Sequence, residues 1–259
     1  MARPHVYPTE AIPLKRMDYG EADRILTVFT PGYGKLRLLA KGVRKSTSRM
    51  AGHLELFTHT HIMVARGRDL SVATQASTIQ PFRELREDLV RSSYAYHLAE
   101  LVDAFLQDDD EHAAVFDLLR SALAALSAGG VPAELVARHF EVQLLGEVGF
   151  RPQLTACLTC QEAVLPEPNA YSVFLGGIVC PRCAPTAPSA SAISLEALKL
   201  LRFLQRTREV SKALITAPAA TLTEVERILQ GQLEFVLERR LRAAEFVHHV
   251  SETTAGYAT

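Results

Sequence analysis

Tryptophan is absent from the chain and aromatic residues make up only 7% of it, so aliphatic side chains must fill its core. Long apolar runs are missing too. Stretches such as Ile62–Ala65 and Leu144–Leu145 fall far short of the roughly 20 residues that a membrane span needs. Near the first residue, Arg3, His5 and Glu10 interrupt any apolar segment of the secretory type, so a cytoplasmic location is expected. Cysteine is scarce. In a reducing compartment, four thiols point to metal before disulfide. The sequence also lacks a P-loop, a dinucleotide glycine turn, GxSxG and HExxH, and nothing in it asks for an enzyme.

Acidic residues are missing over one long stretch, from Arg24 to Leu54. The net charge of −1 hides this segregation. Residues 1–80 carry twelve Lys/Arg against six Asp/Glu, whereas residues 81–156 carry six against thirteen, so the first surface is basic and the second acidic.

Residues 1–81 read as five short strands: Glu10–Lys15, Arg24–Thr30, Lys35–Lys41, Leu56–Ala65 and Leu70–Ile79. Pro31-Gly32-Tyr33-Gly34 and Arg66-Gly67-Arg68-Asp69 are turn signals between them. Five strands in this length suit a small closed barrel, an OB-fold or alternatively an SH3-like barrel. From Phe82 the apolar spacing becomes helical. Helices are predicted over 82–107, from Asp108–Glu111 to the Gly129-Gly130 stop, and from Pro132 to Gly149. Ser194 is placed to cap Leu195–Arg206, and Thr223 with Glu226 has capping-box spacing ahead of a helix reaching about His248. Residues 184–192 read as a Pro/Ala/Ser-rich linker, and the last eight residues as disordered. The expected class is α+β and multidomain: barrel 1–81, helical 82–155, cysteine module 156–186, helical again 193–250.

The sharpest motif is Cys157-Leu-Thr-Cys160 followed by Cys180-Pro-Arg-Cys183. Two CxxC knuckles can offer four sulfurs to one tetrahedral ion. The donor set suits Zn²⁺, one per chain, with iron or an iron–sulfur cluster as the rival. Four thiolates leave no open position, so the site is expected to be structural. A hairpin turning at Gly176-Gly177 would bring the second knuckle to the first. Other polar clusters have simpler readings. His59 and His61 supply only two ligands, Asp108–Asp110 is expected to cap a helix, and His248-His249 complements a helix dipole.

The basic stretch holds Arg24, Lys35, Arg37, Lys41, Arg44, Lys45 and Arg49, with Arg66 and Arg68 at a hairpin tip. Lys35, Arg37 and Lys41 occupy odd positions and are expected to share one face. Residues 41–49 read as a flexible loop of amides, hydroxyls and cations suited to phosphate oxygens. Tyr19 and Tyr33 sit in predicted loops, available for base stacking or for loop packing. The alternative for the whole set is a solvated basic face.

The strings Thr9–Ile12, Asp18–Leu26, Gly34–Arg37, Ala40–Arg44 and Leu54–Phe57, then Arg138–Phe150 with Pro152 just ahead of the cysteines, resemble the RecO family of bacterial DNA repair proteins. That resemblance implies an OB-fold, a helical domain interrupted by a zinc module, and no catalysis. It implies binding of single- and double-stranded DNA, strand annealing, and a role in loading RecA. It also implies RecR and the acidic C-terminal tail of the single-stranded-DNA-binding protein as partners. Arg138, with Leu135 and Val142 near it at helical spacing, is the expected tail contact, and position 139 is His where relatives can carry a second basic residue. A transcription or translation factor with barrel and ribbon, or a metal-dependent nuclease, are the competing readings.

Overall fold

The computed structural model describes residues 5–210, 216–244, 246, 247 and 250. Alternating apolar and polar residues produce strands β1 (Val6–Tyr19), β2 (Asp23–Thr30), β3 (Gly34–Ala40), β4 (His59–Ala65) and β5 (Ser71–Gln80). They close into a barrel in the order β1-β2-β3-β5-β4. β1 pairs with both β2 and β4, and β3 meets β5 in parallel through only Leu38↔Ser71 and Leu39↔Val72. This is the OB arrangement, which removes the SH3-like alternative. Closure needs β1 to be long: it extends four residues beyond the predicted segment at each end, because each half serves a different neighbour. Leu26, Val28, Leu38, Ile62 and Val64 fill the interior with aliphatic groups.

After the barrel come α1 (Glu84–Glu87), α2 (Leu89–Phe105), α3 (Ala113–Ala128) and α4 (Ala133–Glu147). The predicted helix over 82–107 is broken at Asp88, whose extended backbone frees its carboxylate to accept from the Arg91 N–H. The chain divides into two compact units, residues 5–128 with the described residues from Ala243 onward, and residues 129–242. The division differs from the expected boundary at 81. Helices α1–α3 belong with the barrel because Phe116 of α3 lies 5.8 Å from both Phe29 and His59, and Tyr96 of α2 lies edge-on to Phe57 at 4.9 Å. In the same unit, Glu100 accepts the Ala243 N–H at 2.6 Å.

The second unit holds α4, α5 (Leu195–Arg206), α6 (Ala219–Leu237) and a small sheet, β6 (Asn169–Ser172), β7 (Gly177–Val179) and β8 (Ala190–Ile193), in the order β7-β6-β8. The Ser194 cap is as predicted, its hydroxyl accepting from the Ala197 N–H at 3.1 Å. The capping box is not. Pro218 starts α6, Thr223 lies inside it, and the left-handed backbone of Glu238 ends it, well short of His248. His248-His249 and the last eight residues lie outside the described residues. The predicted linker, 184–192, overlaps the first three residues of β8, which completes the sheet beside β6.

Candidate metal centre and basic barrel surface

The cysteine sulfurs come from two tight knuckles and lie within 4.8 Å of one another. In the first knuckle the Gln161 N–H donates to the Cys157 carbonyl, and in the second the Cys183 N–H donates to that of Cys180. β6 and β7 pair from Ala170↔Val179 to Ser172↔Gly177, so the connection is residues 173–176 rather than a two-residue turn. Leu158 donates its N–H to Ile178, which ties the first knuckle to the strand that delivers the second. None of the four is in a disulfide.

The spacing fits a tetrahedral ion. Zn–S bonds of about 2.3 Å require S···S edges of about 3.8 Å, and Cys160 Sγ lies 3.8 Å from Cys180 Sγ. The proton balance fits as well. Burial pushes the Cys157 thiol up, but the N–H groups of Cys160, Cys180 and Thr159 outweigh it and bring it to about 6. The hydrogen bond of Cys183 to the Cys180 sulfur, then burial, pushes its thiol up to about 12. Four neighbouring sulfurs cannot all ionise without a cation among them, and the set is matched to one.

The barrel's cations separate into two groups. Lys35 does not share an exposed face with Arg37 and Lys41. It is buried, and its Nζ donates to the Asp103 carbonyl oxygen at 2.8 Å and carboxylate at 3.2 Å, with Asp108 at 3.6 Å. Lys15 also pairs with Asp103. Partial burial raises the Asp103 carboxyl, yet the bonds and charges of the two lysines outweigh it and hold it below the usual range. Asp108–Asp110 therefore docks on the barrel instead of capping a helix, and α3 starts later, at Ala113. The approach is close: a Cβ on Gly34, whose φ is +66°, would fall 2.2 Å from the Asp110 carbonyl oxygen.

Arg24 is also occupied. It pairs with Asp18 at 3.0 Å and with Glu55 at 3.4 Å, while Arg44 reaches Asp18 at 3.6 Å and Arg16 pairs with Glu55. The charge of Asp18 was readable from the sequence, but its role depends on the cross-strand register Asp18↔Arg24, which lies beyond the predicted end of β1. Tyr33 packs on Tyr7 with ring centroids 4.3 Å apart and contributes to the barrel core, whereas Tyr19, at the end of β1, is 53% exposed. His59 is buried against Glu10, and His61 is exposed.

Arg37, Lys41, Lys45, Arg49, Arg66 and Arg68 are exposed and make no hydrogen bond or ion pair through their side chains among the described residues. Lys41, Lys45 and Arg49 do not ride on a slack loop. Val43 is buried beneath it, the Gly42 N–H donates to Asp23 at 2.7 Å, and the Arg44 N–H donates to the Ala22 carbonyl at 2.9 Å.

In the second unit, Arg138, Leu135 and Val142 are all at most 3% exposed. The Arg138 guanidinium lies between Glu141 at 2.9 Å and Glu226 of α6 at 3.1 Å. Nearby, the Nε2–H of His139 donates to the Thr207 carbonyl at 2.9 Å, and Gln143 donates to the last carbonyls of α5. Burial holds His139 below the usual histidine range, and the Thr207 bond only partly opposes this. Helix α4 is thus the central helix of its unit, and the expected tail-binding residues lie in its core.

Two family profiles cover nearly the whole chain: Recombination protein O N terminal over residues 1–82, and Recombination protein O C terminal over residues 86–245. The chain belongs to the RecO family. Its curated relatives include DNA repair protein RecO of Roseiflexus sp., 43% identical over 96% of this chain and 88% of that one. The RecO proteins of Dehalococcoides mccartyi and Desulforamulus reducens are 35% and 32% identical, over 94% and 98% of this chain and 95% and 98% of theirs. The boundary between the two RecO profiles coincides with the end of β5, so it follows the barrel and not the division into compact units. No helix among the described residues of this RecO family member is long and apolar enough to cross a membrane.

Proposed function

We propose that this chain is a non-catalytic recombination mediator of the cytoplasm that binds single- and double-stranded DNA through its barrel and anneals complementary strands. One structural Zn²⁺ is held by Cys157, Cys160, Cys180 and Cys183. RecR and the acidic tail of the single-stranded-DNA-binding protein are its partners, and loading of RecA is the outcome. The observation that carries the DNA reading is the set of six exposed cations without partners among the described residues on an OB barrel of the RecO family. Arg37, Lys41, Lys45, Arg49, Arg66 and Arg68 form that set. Arg24 and Arg44 are held by acids, Lys35 is structural, and Tyr19 is the aromatic ring left free to stack on a base.

Incubation with labelled complementary strands and Mg²⁺ tests the reading. Accelerated annealing without cleavage supports it, and cleavage replaces it with a nuclease. Lys41→Ala with Lys45→Ala should weaken binding to every sequence alike and reduce the slope of log affinity against log salt by about 1.4 on single strands, at roughly 0.7 per phosphate contact. An unchanged slope would make the loop a solvated face.

Asp18 supports an opposite prediction. Its carboxylate lies between Arg24 and Arg44 as a phosphate would, so Asp18→Asn should release Arg44, leave Arg24 on Glu55 alone, raise DNA affinity and steepen the salt slope. Fluorescence anisotropy over a salt series measures both effects. A variant that binds more weakly than the parent would assign Asp18 a supporting role in the hairpin.

A further inference from the structure

β3 and β5 pair through two residues only, so the strands diverge on the Gly34–Arg37 side and leave a cleft of about 260 Å³ in the first unit. Its lining is divided by chemistry. Tyr7 and Leu36, both largely buried, give it apolar surface. Arg37 enters from β3, and Arg66 and Arg68 enter from the β4–β5 connection. Asp69 lies beside them, exposed and without a hydrogen bond or ion pair among the described residues.

The cleft is built rather than incidental. A Cβ on Gly67 would fall 2.0 Å from the Leu70 carbonyl oxygen, so the connection carrying Arg66, Arg68 and Asp69 closes as tightly as backbone allows. The Arg66 N–H is further tied to the His5 carbonyl at 2.8 Å. On the other side the Asp109 N–H donates to the Lys35 carbonyl at 3.2 Å and fixes residues 108–109 as part of the lining.

A ligand that satisfies this lining has an apolar face, an anion and a hydrogen-bond donor. Of the three aspartates of the lining, Asp108 pairs with Lys35 and Asp109 has a partner of its own, so a phosphodiester alone uses the arginines but leaves the Asp69 carboxylate opposed to it, whereas a nucleotide with an amino-bearing base uses both. Carboxylates read bases by accepting from an exocyclic amine, as from N4 of cytosine. Bases become available to such pockets when they leave the stack. We propose that this cleft seats one unstacked nucleotide of a single DNA strand, its phosphates on Arg37, Arg66 and Arg68 and the exocyclic amine of its base on Asp69. The proposal rests on the barrel being the DNA-binding surface and adds a base preference to it.

The test is fluorescence anisotropy of the full chain, at pH 8, with end-labelled 20-residue oligothymidylate and oligocytidylate. Thymine has no exocyclic amine and cytosine has one. The cytosine strand should bind about fivefold tighter, the low end of what one side chain reading a base edge supplies. Asp69→Ala should abolish that difference while leaving the thymine strand bound at least as tightly, since a negative charge has gone. Arg66→Ala with Arg68→Ala should weaken both strands. Equal binding of the two strands by the parent protein, or a preference that survives Asp69→Ala, would overturn the nucleotide cleft while leaving the barrel as the DNA surface. Failure to bind either strand would instead overturn the DNA-binding reading itself.

Discussion

Replacing Cys157 and Cys160 with serine should release one zinc ion per chain and unfold the segment around β6, β7 and the two knuckles. The expected effect is large because metal binding in small cysteine modules contributes roughly 10–16 kcal/mol to local folding. The core of this module is narrow: Cys157 and Cys180 are themselves two of its buried residues, beside Ala170 and Val179, so two of the four candidate ligands are also core. Elemental analysis of protein purified without added metal measures the content, and proteolysis between residues 155 and 190 measures the unfolding. Zinc binding should also weaken as pH falls. The Cys183 thiol must lose a proton that its neighbours hold firmly, so acid competes directly with the metal. A folded, protease-resistant and metal-free double variant would remove the structural role of the site, and iron in place of zinc would correct the ion alone.

Arg138→Ala should cost the second unit about 3–5 kcal/mol, the usual loss when one member of a buried ion cluster is removed and its partners stay. Glu141 would keep a nearly inaccessible carboxylate with no guanidinium opposite it, and Glu226 would lose its link to α4. Thermal unfolding should show a transition lowered by more than about 10 °C. A variant with unchanged melting would mean that the cluster contributes no net stability. The same geometry alters how a tail contact through Arg138 is tested, since loss of tail binding in Arg138→Ala would follow from unfolding alone. Glu226→Gln loosens the guanidinium and keeps the fold's volume. It should therefore raise affinity for the tail peptide if Arg138, with Leu135 and Val142, is the contact, and unchanged affinity would remove that assignment.

Local patterns in the sequence located β2, β3 and β5 to within about a residue, because alternation and turn residues are properties of adjacent positions. The Ser194 cap was legible for the same reason. Features set by distant residues were not. Ala190–Ile193 looks like linker until β6 supplies it with a hydrogen-bonding edge. Glu224 and Glu226 stand near a plausible helix start, yet Glu224 binds Ser194 and Glu226 binds Arg138, each across to another element. Charge was the least legible property of the candidate sites. Lys35 read as an exposed cation because Asp103 is 68 positions away, and Arg138 did so because Glu141, three positions on, is joined by Glu226, 88 positions on, only in the folded unit. The cysteine spacing was legible because two ligands per knuckle are fixed within four residues, and only the pairing of the knuckles needed the fold.

Residues 129–242 interrupt a unit whose earlier and later parts belong together, with Ala243 bonded to Glu100 and Ala244, Val247 and Val250 buried. On the ribosome that order becomes a delay. At about 5–20 residues per second, the barrel and its helices wait roughly 6–23 seconds while the 114 residues from Gly129 to Arg242 (242 − 129 + 1) are made. During that interval the nascent barrel unit lacks the apolar side chains of its last segment, while the cysteine module, encoded without interruption, can already bring its four sulfurs together. The order of synthesis thus lets the inserted unit mature before the unit that surrounds it in the sequence.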